Sequence, residues 1–373
     1  MELTKYTRRQ SVEVKIGATT IGGNNPIAVQ SMTNTATADV EKSVAQIECI
    51  ADAGAPIVRL TAQGKKEGEA LADIVAGVRR DGYQTAIVAD IHFIPEIASI
   101  AAESVDKVRI NPGNYRTSGG ELEALIEKCR KRGVALRIGV NHGSLARHIV
   151  DKLGDTPAGM VESAMEFLRV CVAQKFKDVV ISIKASNTVI MVETVRRLVV
   201  AMEKEDMDFP LHLGVTEAGD GEDGRVKSAV GIGTLLAEGI GDTIRVSLSE
   251  SPENEIPVAR LLVDYISLRE SATPIEGCRV EGYCYEAPSR RKSDTFDNIG
   301  GDNLPIVVAP YADIYPDGCT PDYHPEQTAG FIEIKASTPL AEYKDILSAN
   351  PAMPVVLYSN HVNLVGEMQA TAH

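Results

Sequence analysis

The feature that most constrains the fold is an eightfold alternation of short apolar segments with longer amphipathic segments, between residue 26 and about residue 270. The short segments are rich in strand-forming residues and begin at residues 26, 56, 85, 107, 135, 178, 210 and 243. Between them, stretches such as VEKSVAQIECIADAG, GGELEALIEKCRKRG and VIMVETVRRLVVAMEKE repeat apolar residues at spacings of three and four, which is typical of helices. Eight strand–helix repeats predict a parallel sheet that closes into a (β/α)8 TIM barrel.

Two further segments bear on this fold. The opening VEVKIGATTIGG predicts a short hairpin that plugs the N-terminal end of the barrel. The alternative to a barrel is an open doubly wound sheet, whose first strand-to-helix turn carries a glycine-rich phosphate fingerprint. The corresponding segment here, PIAVQSMTNTATADV, contains no glycine, so the barrel is favoured.

The composition changes near residue 270. Residues 271–303 are rich in glycine, proline and charge, as an irregular linker would be. Three more strand candidates begin at residues 304, 330 and 353 and predict the beginning of a second α/β domain. So few strands make a poor independent core, and we expect the chain to be a fragment of something longer. The predicted organisation is a barrel over 1–270, a linker over 271–303 and a partial α/β insert domain over 304–373.

Composition excludes several classes of partner. The formal net charge of -14 argues against nucleic acid, which proteins bind through clustered lysine and arginine. No run approaches the roughly 18 apolar residues of a membrane helix, and the charged opening MELTKYTRRQ lacks a secretory signal, so we expect a cytoplasmic protein with no membrane partner. The six cysteines include no C-x-x-C pair, which indicates ordinary thiols and no metal site in this chain.

Polar side chains recur late in the strand candidates, toward the end of the barrel where active sites of this fold are assembled. Because side chains alternate between the two faces of a strand, each one can be sorted by parity. Apolar residues of the other face, among which we count Ile57, Val58 and Leu60, must meet the helices, so the polar set points into the lumen. The polar residues sorted in this way are Arg59, Asp90, His92, Arg109, Asn111, Arg137, Asn141, Lys184, Ser186, Arg245 and Ser247.

Five of these residues are cationic: Arg59, Arg109, Arg137, Lys184 and Arg245. Two like charges about 8 Å apart repel by roughly 2 kcal/mol at an effective dielectric constant of about 20, so such a cluster needs anions. Asp90 and Glu217 compensate only part of it, and a ligand with two or more negative charges supplies the rest. We therefore predict a phosphorylated or diphosphorylated small molecule. Neutral groups that hydrogen-bond its carbon skeleton are Asn111, Asn141, Ser186, Asn187, Thr216 and Ser247.

Two glycine-containing segments give weaker indications. GDGEDG, from residue 219, offers carboxylates without the spacing of a calcium-binding EF-hand, and we expect a solvated loop there. Gly231 and Gly233, in VGIGT, would place backbone N–H groups near a phosphate if they opened a helix.

Taken in order, the strand-end motifs VQSMT, VRLT, VADIHF, VRINPGN, RIGVNHGS, SIKASN and GVTEAG resemble the barrel domain of the 4-hydroxy-3-methylbut-2-enyl diphosphate synthases, over residues 11 to 270. Residues 271–373 resemble the start of the domain inserted in the long form of that family. The resemblance implies reductive ring opening and dehydroxylation of 2-C-methyl-D-erythritol 2,4-cyclodiphosphate in the methylerythritol phosphate (MEP) route to isoprenoids. It also implies ferredoxin or flavodoxin as the electron donor.

The resemblance further implies roles for individual residues. Asn111, Asn141 and Thr216 would fix the carbon skeleton, and Glu217 would deliver a proton to the departing hydroxyl. Those that would hold the diphosphate are Arg59, Arg109, Arg137, Lys184, Arg245 and Ser247.

In this family a 4Fe-4S cluster is held by three cysteines and a glutamate of a C-terminal domain. Cys278, Cys284 and Cys319 lack the spacing of that motif, so we expect no cluster ligands and no turnover by this chain alone.

Other functions stay open from the residues themselves. Lys184 is a candidate Schiff-base nucleophile of a barrel aldolase, if its pKa is lowered in a site that accepts a carbonyl. Pterin-dependent barrel transferases that act on a phosphorylated substrate are a further alternative. A non-enzymatic fragment that only binds a diphosphate is the last.

Overall fold

The computed structural model describes residues 6–91, 94–115, 119–274, 281–282, 289–295, 299–310, 331–333, 348 and 355–356. Its contacts divide the chain into two units, Met1–Gly277 and Cys278–His373, which are described separately.

The first unit is built around a closed sheet of eight parallel strands. In spatial order β8-β7-β6-β5-β4-β3-β10-β9 are hydrogen-bonded neighbours. A bridge between Ile181 of β8 and Leu211, just before β9, joins the two ends of this sheet and closes it. The prediction of a TIM barrel is therefore confirmed. The strands are β3 Ala28–Met32, β4 Ile57–Ala62, β5 Ala86–Ile91, β6 Lys107–Ile110, β7 Ala135–Asn141, β8 Val179–Lys184, β9 His212–Leu213 and β10 Thr243–Ile244.

Helices follow the strands and cover the outside of the barrel. Their ends follow local chemistry: Asp39, Thr156 and Asn187 accept hydrogen bonds from backbone N–H groups of α1, α6 and α7 as N-caps. Val58 and Leu60 belong to the large apolar core that includes helix residues. The helices are α1 Val40–Asp52, α2 Lys65–Arg80, α3 Pro95–Ala101, α4 Glu121–Arg132, α5 Arg147–Leu153, α6 Pro157–Ala173, α7 Thr188–Lys204, α8 Gly221–Ser228, α9 Thr234–Ala237 and α10 Glu255–Ser267.

An N-terminal hairpin closes the bottom of the barrel, as predicted. Its strands, β1 Val14–Ile16 and β2 Thr19–Ile21, pair antiparallel. A separate apolar cluster joins hairpin side chains to lumen residues at the starts of the barrel strands. The predicted outer position of Ile57 is wrong, because its side chain belongs to this cluster and shares the lumen parity of Arg59. The cluster consists of Val14, Ile16, Ile21, Ala28, Ile57, Ala86, Val88, Ala135 and Val180.

The segment after β9 differs from the prediction in two places. GDGEDG is not a loop throughout, since α8 begins at Gly221 inside it. Gly231 and Gly233 do not open a helix, because they lie in a π-helical turn, Ala229–Gly233, between α8 and α9. A side chain at Gly231 would meet Val215 Cγ2 at 2.5 Å, so this glycine permits close packing instead of anion binding.

The described residues of the second unit include three short parallel strands in the order β11-β12-β13. They are β11 Val308–Pro310, β12 Phe331–Glu333 and β13 Val355–Val356, and each falls within a predicted strand.

Short 3-10 turns in the first unit span Pro112–Asn114, Pro252–Asn254 and Leu268–Ser271. None of the helices in the described ranges has the length and apolar character needed to cross a membrane.

Candidate active site

The strand register sorts the lumen side chains into layers, because alternate strands of a TIM barrel contribute residues at equal height. The lower layer contains Ile57, Lys107, Val180 and Thr243. The middle layer contains Gln30, Val88, Arg137 and His212, and the upper layer contains Arg59, Arg109, Ser182 and Arg245. Above them lie Met32, Asp90, Gly139 and Gly214, and the rim holds Thr61, Asn111, Lys184 and Ser247. All five predicted cations therefore face one lumen.

Asp90 binds two of these cations. Arg109 Nη1 donates to Asp90 Oδ1 at 2.9 Å, and Arg59 Nη1 lies 3.4 Å from Asp90 Oδ2. All three side chains are at least nine-tenths buried. Burial, partly offset by Asp90, lowers the pKa of Arg59 to about 10, and the neighbouring Arg245 and Arg109 add to this effect. One carboxylate is thus shared between two guanidinium groups.

Gly139 makes room for this arrangement. Its φ is not in the left-handed region, so conformational freedom does not explain the glycine. A Cβ atom at residue 139 would instead lie 2.3 Å from Arg109 Nε, and Arg109 Nη2 donates to the Gly139 carbonyl at 2.7 Å. The absence of a side chain on β7 therefore fixes the path of Arg109 toward Asp90.

Glu255 holds the third upper-layer cation and was missed by the sequence analysis. Its two carboxylate oxygens accept from Arg245 Nη2 at 2.8 Å and Arg245 Nε at 2.9 Å. Ser31 Oγ and the Leu248 N–H also donate to it, at 2.7 and 3.2 Å. Glu255 is the first residue of α10, and in a sequence an acidic residue at that position indicates only a favourable helix N-terminus. The position of Glu255 beneath the mouth depends on how α10 packs, which the sequence does not show.

The heads of Arg59 and Arg245 lie close together. Arg59 Nη2 lies 2.7 Å from Met32 Sδ, and Arg245 Nη1 lies 3.5 Å from the same atom, so the two guanidinium heads are within about 6 Å of each other. At that distance like charges repel by about 3 kcal/mol at an effective dielectric constant of 20. Asp90 and Glu255 reduce this repulsion without removing it, because these two carboxylates are shared among three arginines. A cavity of about 580 Å³ adjoins this pair and is lined in part by Met32, Asn34, Arg245, Ser249 and Glu255.

Arg137 and Lys184 have no carboxylate within ion-pairing distance among the described residues. Arg137 Nε donates to Ser182 Oγ at 3.0 Å, and its Nη1 has no hydrogen-bond partner in the described part of the chain. Lys184 lies against Gly214, where a Cβ atom would meet its Nζ at 3.2 Å. Burial, followed by the arginines Arg59 and Arg137, lowers the pKa of Lys184 well below its usual range.

The middle and lower layers hold four polar residues that the sequence analysis also missed, and besides Thr243 these are Lys107, Gln30 and His212. Lys107 and Gln30 are fully buried and His212 is 1% exposed. Their side-chain nitrogens, and the Gln30 oxygen, have no hydrogen-bond partner among the described residues. Burial and then Arg137 lower the pKa of both Lys107 and His212 well below their usual ranges. Lys107 starts β6 with the lumen parity of Arg109, which is a signal that could have placed it inside.

The predicted neutral groups divide into two kinds. Asn111 is occupied in the loop after β6, since its Oδ1 accepts from Gly113 N–H and its Nδ2 donates to Ser144 Oγ, both at 3.1 Å. Asn187 is occupied as the N-cap of α7, and Ser186 beside it is exposed. Asn141, Thr216 and Ser247 are partly exposed near the mouth, and Thr216 Oγ1 has no partner among the described residues.

Glu217 lies in the turn after β9 with an exposed side chain. Its φ is 53°, a left-handed conformation that costs non-glycine residues on the order of 1 kcal/mol or more. Lys175 and Asp206 share this conformation, but each directly follows the end of a helix, where it is common. Glu217 follows a strand, so its strain has no such explanation. His92, also predicted for the site, lies outside the described residues.

Comparisons with known proteins agree with the barrel fold. The family model described as GcpE TIM-barrel domain matches residues 11–260. A 4-hydroxy-3-methylbut-2-en-1-yl diphosphate synthase (flavodoxin) of Phocaeicola vulgatus is 48% identical, over 100% of this chain and 72% of the relative. The relative of the same name from Bacteroides fragilis is 49% identical over 100% of this chain and 70% of its own length. The chloroplastic ferredoxin-dependent synthase of Arabidopsis thaliana is 46% identical over 74% of this chain and 40% of its own length.

The family model covers the barrel from the plug hairpin to α10. The two bacterial relatives are aligned with the whole chain, and nearly half of the aligned positions are identical. The chain belongs to the 4-hydroxy-3-methylbut-2-en-1-yl diphosphate synthase family.

Proposed function

We propose that this chain supplies the substrate-binding barrel of an oxidoreductase that opens 2-C-methyl-D-erythritol 2,4-cyclodiphosphate and removes a hydroxyl, giving 4-hydroxy-3-methylbut-2-enyl diphosphate. The names of its relatives support this reaction. The observation that carries the proposal is the buried excess of cations over carboxylates at the barrel mouth. An acidic protein maintains such a cluster at a cost, and an anionic ligand offsets that cost.

The charge of the substrate suits this cluster. Each phosphorus of a cyclic diphosphate carries one ionisable oxygen, so the substrate has two negative charges. Opening the ring at the carbon–oxygen bond leaves that oxygen on phosphorus and adds a third negative charge. Fixed guanidinium groups therefore bind the developing charge more strongly than the substrate, which is what electrostatic catalysis requires.

Individual residues receive roles within this proposal. Arg59, Arg109 and Arg245 are held by Asp90 and Glu255, so their heads are oriented before the ligand arrives. Lys184 at the rim has no such carboxylate and is the cation most dependent on the ligand. Glu217 donates a proton to the departing hydroxyl, and its strained backbone supports a functional constraint on that turn. Asn141, Thr216 and Ser247 bind the carbon skeleton and the phosphate oxygens.

The described cysteines do not fit the 4Fe-4S cluster expected from the resemblance. Cys129 and Cys171 are buried, and burial raises the pKa of each thiol to about 12, which opposes the thiolate that binds iron. Cys49 is exposed on α1, and the described residues contain no group of three potential metal ligands. Cys278, Cys284 and Cys319 lie outside the described residues. We therefore assign binding, and not electron transfer, to the residues described here.

The remaining expectations stand as parts of the proposal. Flavodoxin or ferredoxin serves as the electron donor, as the names of the bacterial and plant relatives suggest. A partial insert domain over 304–373 and a cytoplasmic location also stay predictions.

Calorimetric titration of the chain with the cyclodiphosphate tests the proposal. Lys184→Met removes a cation that lacks a carboxylate partner, so we expect affinity to fall about 10- to 100-fold, the value of a charge-assisted hydrogen bond. Lys204→Met, at the exposed end of α7, is the matched control and should leave affinity unchanged. Equal affinities of the two variants, or no binding by the unsubstituted chain, would refute the proposal.

A further inference from the structure

Lys107 lies beneath the proposed diphosphate site, where no role has been assigned to it. It occupies the lower layer, two layers below Arg109 on the same strand side, with Thr243 opposite it across the barrel. Its side chain is 0% exposed, and its Nζ has no hydrogen-bond partner among the described residues. Below it the plug hairpin contributes Val14, Ile16 and Ile21 to the apolar cluster around Ile57 and Val180. Lys107 is thus enclosed from below and open only toward the cations above.

The charged groups that face Lys107 are mainly positive. Burial, then Arg137 and then Arg59 oppose its ammonium form and lower its pKa, and His212 of the middle layer is also disfavoured as a cation. The lumen carboxylate Asp90 is already bound by two arginines.

Carboxylates at greater distance are occupied as well. Glu255 is bound to Arg245. Asp106, the residue before Lys107, accepts from Arg79 Nη2 at 2.9 Å and from the Ile87 N–H at 2.7 Å, and it is partly exposed at the bottom of the barrel. Without a ligand, Lys107 is therefore best accommodated as the neutral amine.

A bound dianion reverses this balance. The four arginines of the lumen cannot release or gain protons near neutral pH, so they cannot adjust to a change of charge. Lysine can, because its ammonium and amine forms interconvert once its environment changes. Two negative charges placed among Arg59, Arg109 and Arg245 attract a proton to Lys107, and this attraction opposes the burial and the repulsion from Arg137 and Arg59 that disfavour its ammonium form.

We propose that Lys107 is a proton acceptor beneath the diphosphate site, entering ligand binding as the amine and leaving it as the ammonium, so that one proton is taken into the barrel with the ligand. The step is balanced by one proton from solvent, which forms the N–H bond, while no other bond changes. This inference rests on the proposed function, because it requires the diphosphate to bind above Lys107. Lys107 acts through the charge of the site and is a positioning residue.

Proton uptake is measured by titrating the 373-residue chain with the cyclodiphosphate at pH 8, in two buffers of different ionisation enthalpy. The ligand itself takes up no proton at this pH, because it lacks a second ionisation on either phosphorus. We expect Lys107→Met to lower the number of protons taken up by about one per ligand, whatever Lys184 contributes. The affinity of the unsubstituted chain should also fall as pH rises, approaching tenfold per pH unit, and the variant should lose that part of the slope.

Several outcomes separate the possibilities. Binding heat without proton uptake in the unsubstituted chain overturns the inference while leaving the proposed function intact, and absence of binding overturns both. The inference is also overturned if Lys107→Met and the unsubstituted chain take up the same number of protons per ligand. It is overturned as well if His212→Asn, and not Lys107→Met, abolishes the proton uptake. Lys107→Gln replaces the methionine variant if that chain does not fold, and Lys131→Met, exposed on α4, is the matched control.

Discussion

Gly139→Ala tests whether Arg109 is positioned by the missing side chain on β7. The new methyl group would lie 2.3 Å from Arg109 Nε, a distance that real Cβ atoms essentially never show, and 3.0 Å from its Nη2. Moving β7 would disturb a strand that is paired on both sides, so Arg109 must move instead. It would then lose its hydrogen bonds to Asp90 Oδ1 and to the Gly139 carbonyl, at 2.9 and 2.7 Å.

The size of the effect follows from these two contacts. A hydrogen bond to a charged group contributes about 1.5–3 kcal/mol, and Arg59 remains near Asp90 to offset part of the loss. We expect the free energy of unfolding of the barrel to fall by about 2–4 kcal/mol and affinity for the cyclodiphosphate to fall at least tenfold.

Chemical denaturation followed by circular dichroism measures the stability change, and calorimetric titration measures the affinity. Gly64→Ala is the matched control, since Gly64 has an extended backbone and its new methyl group would meet only the end of the Glu67 side chain, at 3.1 Å. A Gly139→Ala chain with the stability and affinity of that control would show that Arg109 does not depend on the glycine.

Three other predictions concern buried or strained groups. Glu255→Gln leaves Arg245, whose side chain is only 13% exposed, without its carboxylate, so the free energy of unfolding should fall by about 3–5 kcal/mol in a denaturation experiment. The exposed control Glu193→Gln should lose less than about 1 kcal/mol, and equal losses would contradict the pairing. Glu217→Gly should raise the free energy of unfolding by about 1 kcal/mol, because glycine adopts the left-handed backbone without strain. Glu217→Gln in a complete enzyme should lose turnover much more than affinity, and equal losses of turnover and affinity would assign Glu217 to binding. In the unfolded chain the ammonium group of Lys107 has the ordinary pKa of 10.5, whereas in the folded chain its pKa is lower. Between these two pKa values the unfolded state binds more protons than the folded state, so the free energy of unfolding rises with pH, by up to about 1.4 kcal/mol per pH unit. Lys107→Met should flatten this rise on the alkaline side, below pH 10.5, and parallel curves for the two chains would contradict it.

Periodicity in the sequence was sufficient for the barrel, since eight apolar segments with helical stretches between them correspond to β3 through β10. Parity within strands was also sufficient to bring Arg59, Arg109 and Lys184 to one lumen. It could not show which carboxylate meets which cation, because that depends on register between strands. Asp90 is shared since β5 lies between β4 and β6.

Other features depend on packing between distant segments. Glu255 begins a helix and looks like a surface residue until α10 is packed beside β3. Gln30 lies in the middle of β3 and His212 at the start of β9. The rule that functional residues gather at the C-terminal ends of barrel strands therefore does not select them. Ile57 has the lumen parity but an apolar side chain, and only the plug hairpin explains why an apolar group is stable there.

The hairpin at the N-terminus has a consequence for the electrical properties of the barrel. By covering the bottom with Val14, Ile16 and Ile21, it keeps bulk water from one end of the lumen, and charges in poorly hydrated surroundings interact over longer distances. A chain shortened or tagged so that this hairpin is displaced would admit water beneath Lys107. In such a chain the charges at the mouth would interact more weakly with Lys107 at the bottom of the lumen, although no residue at the mouth had changed.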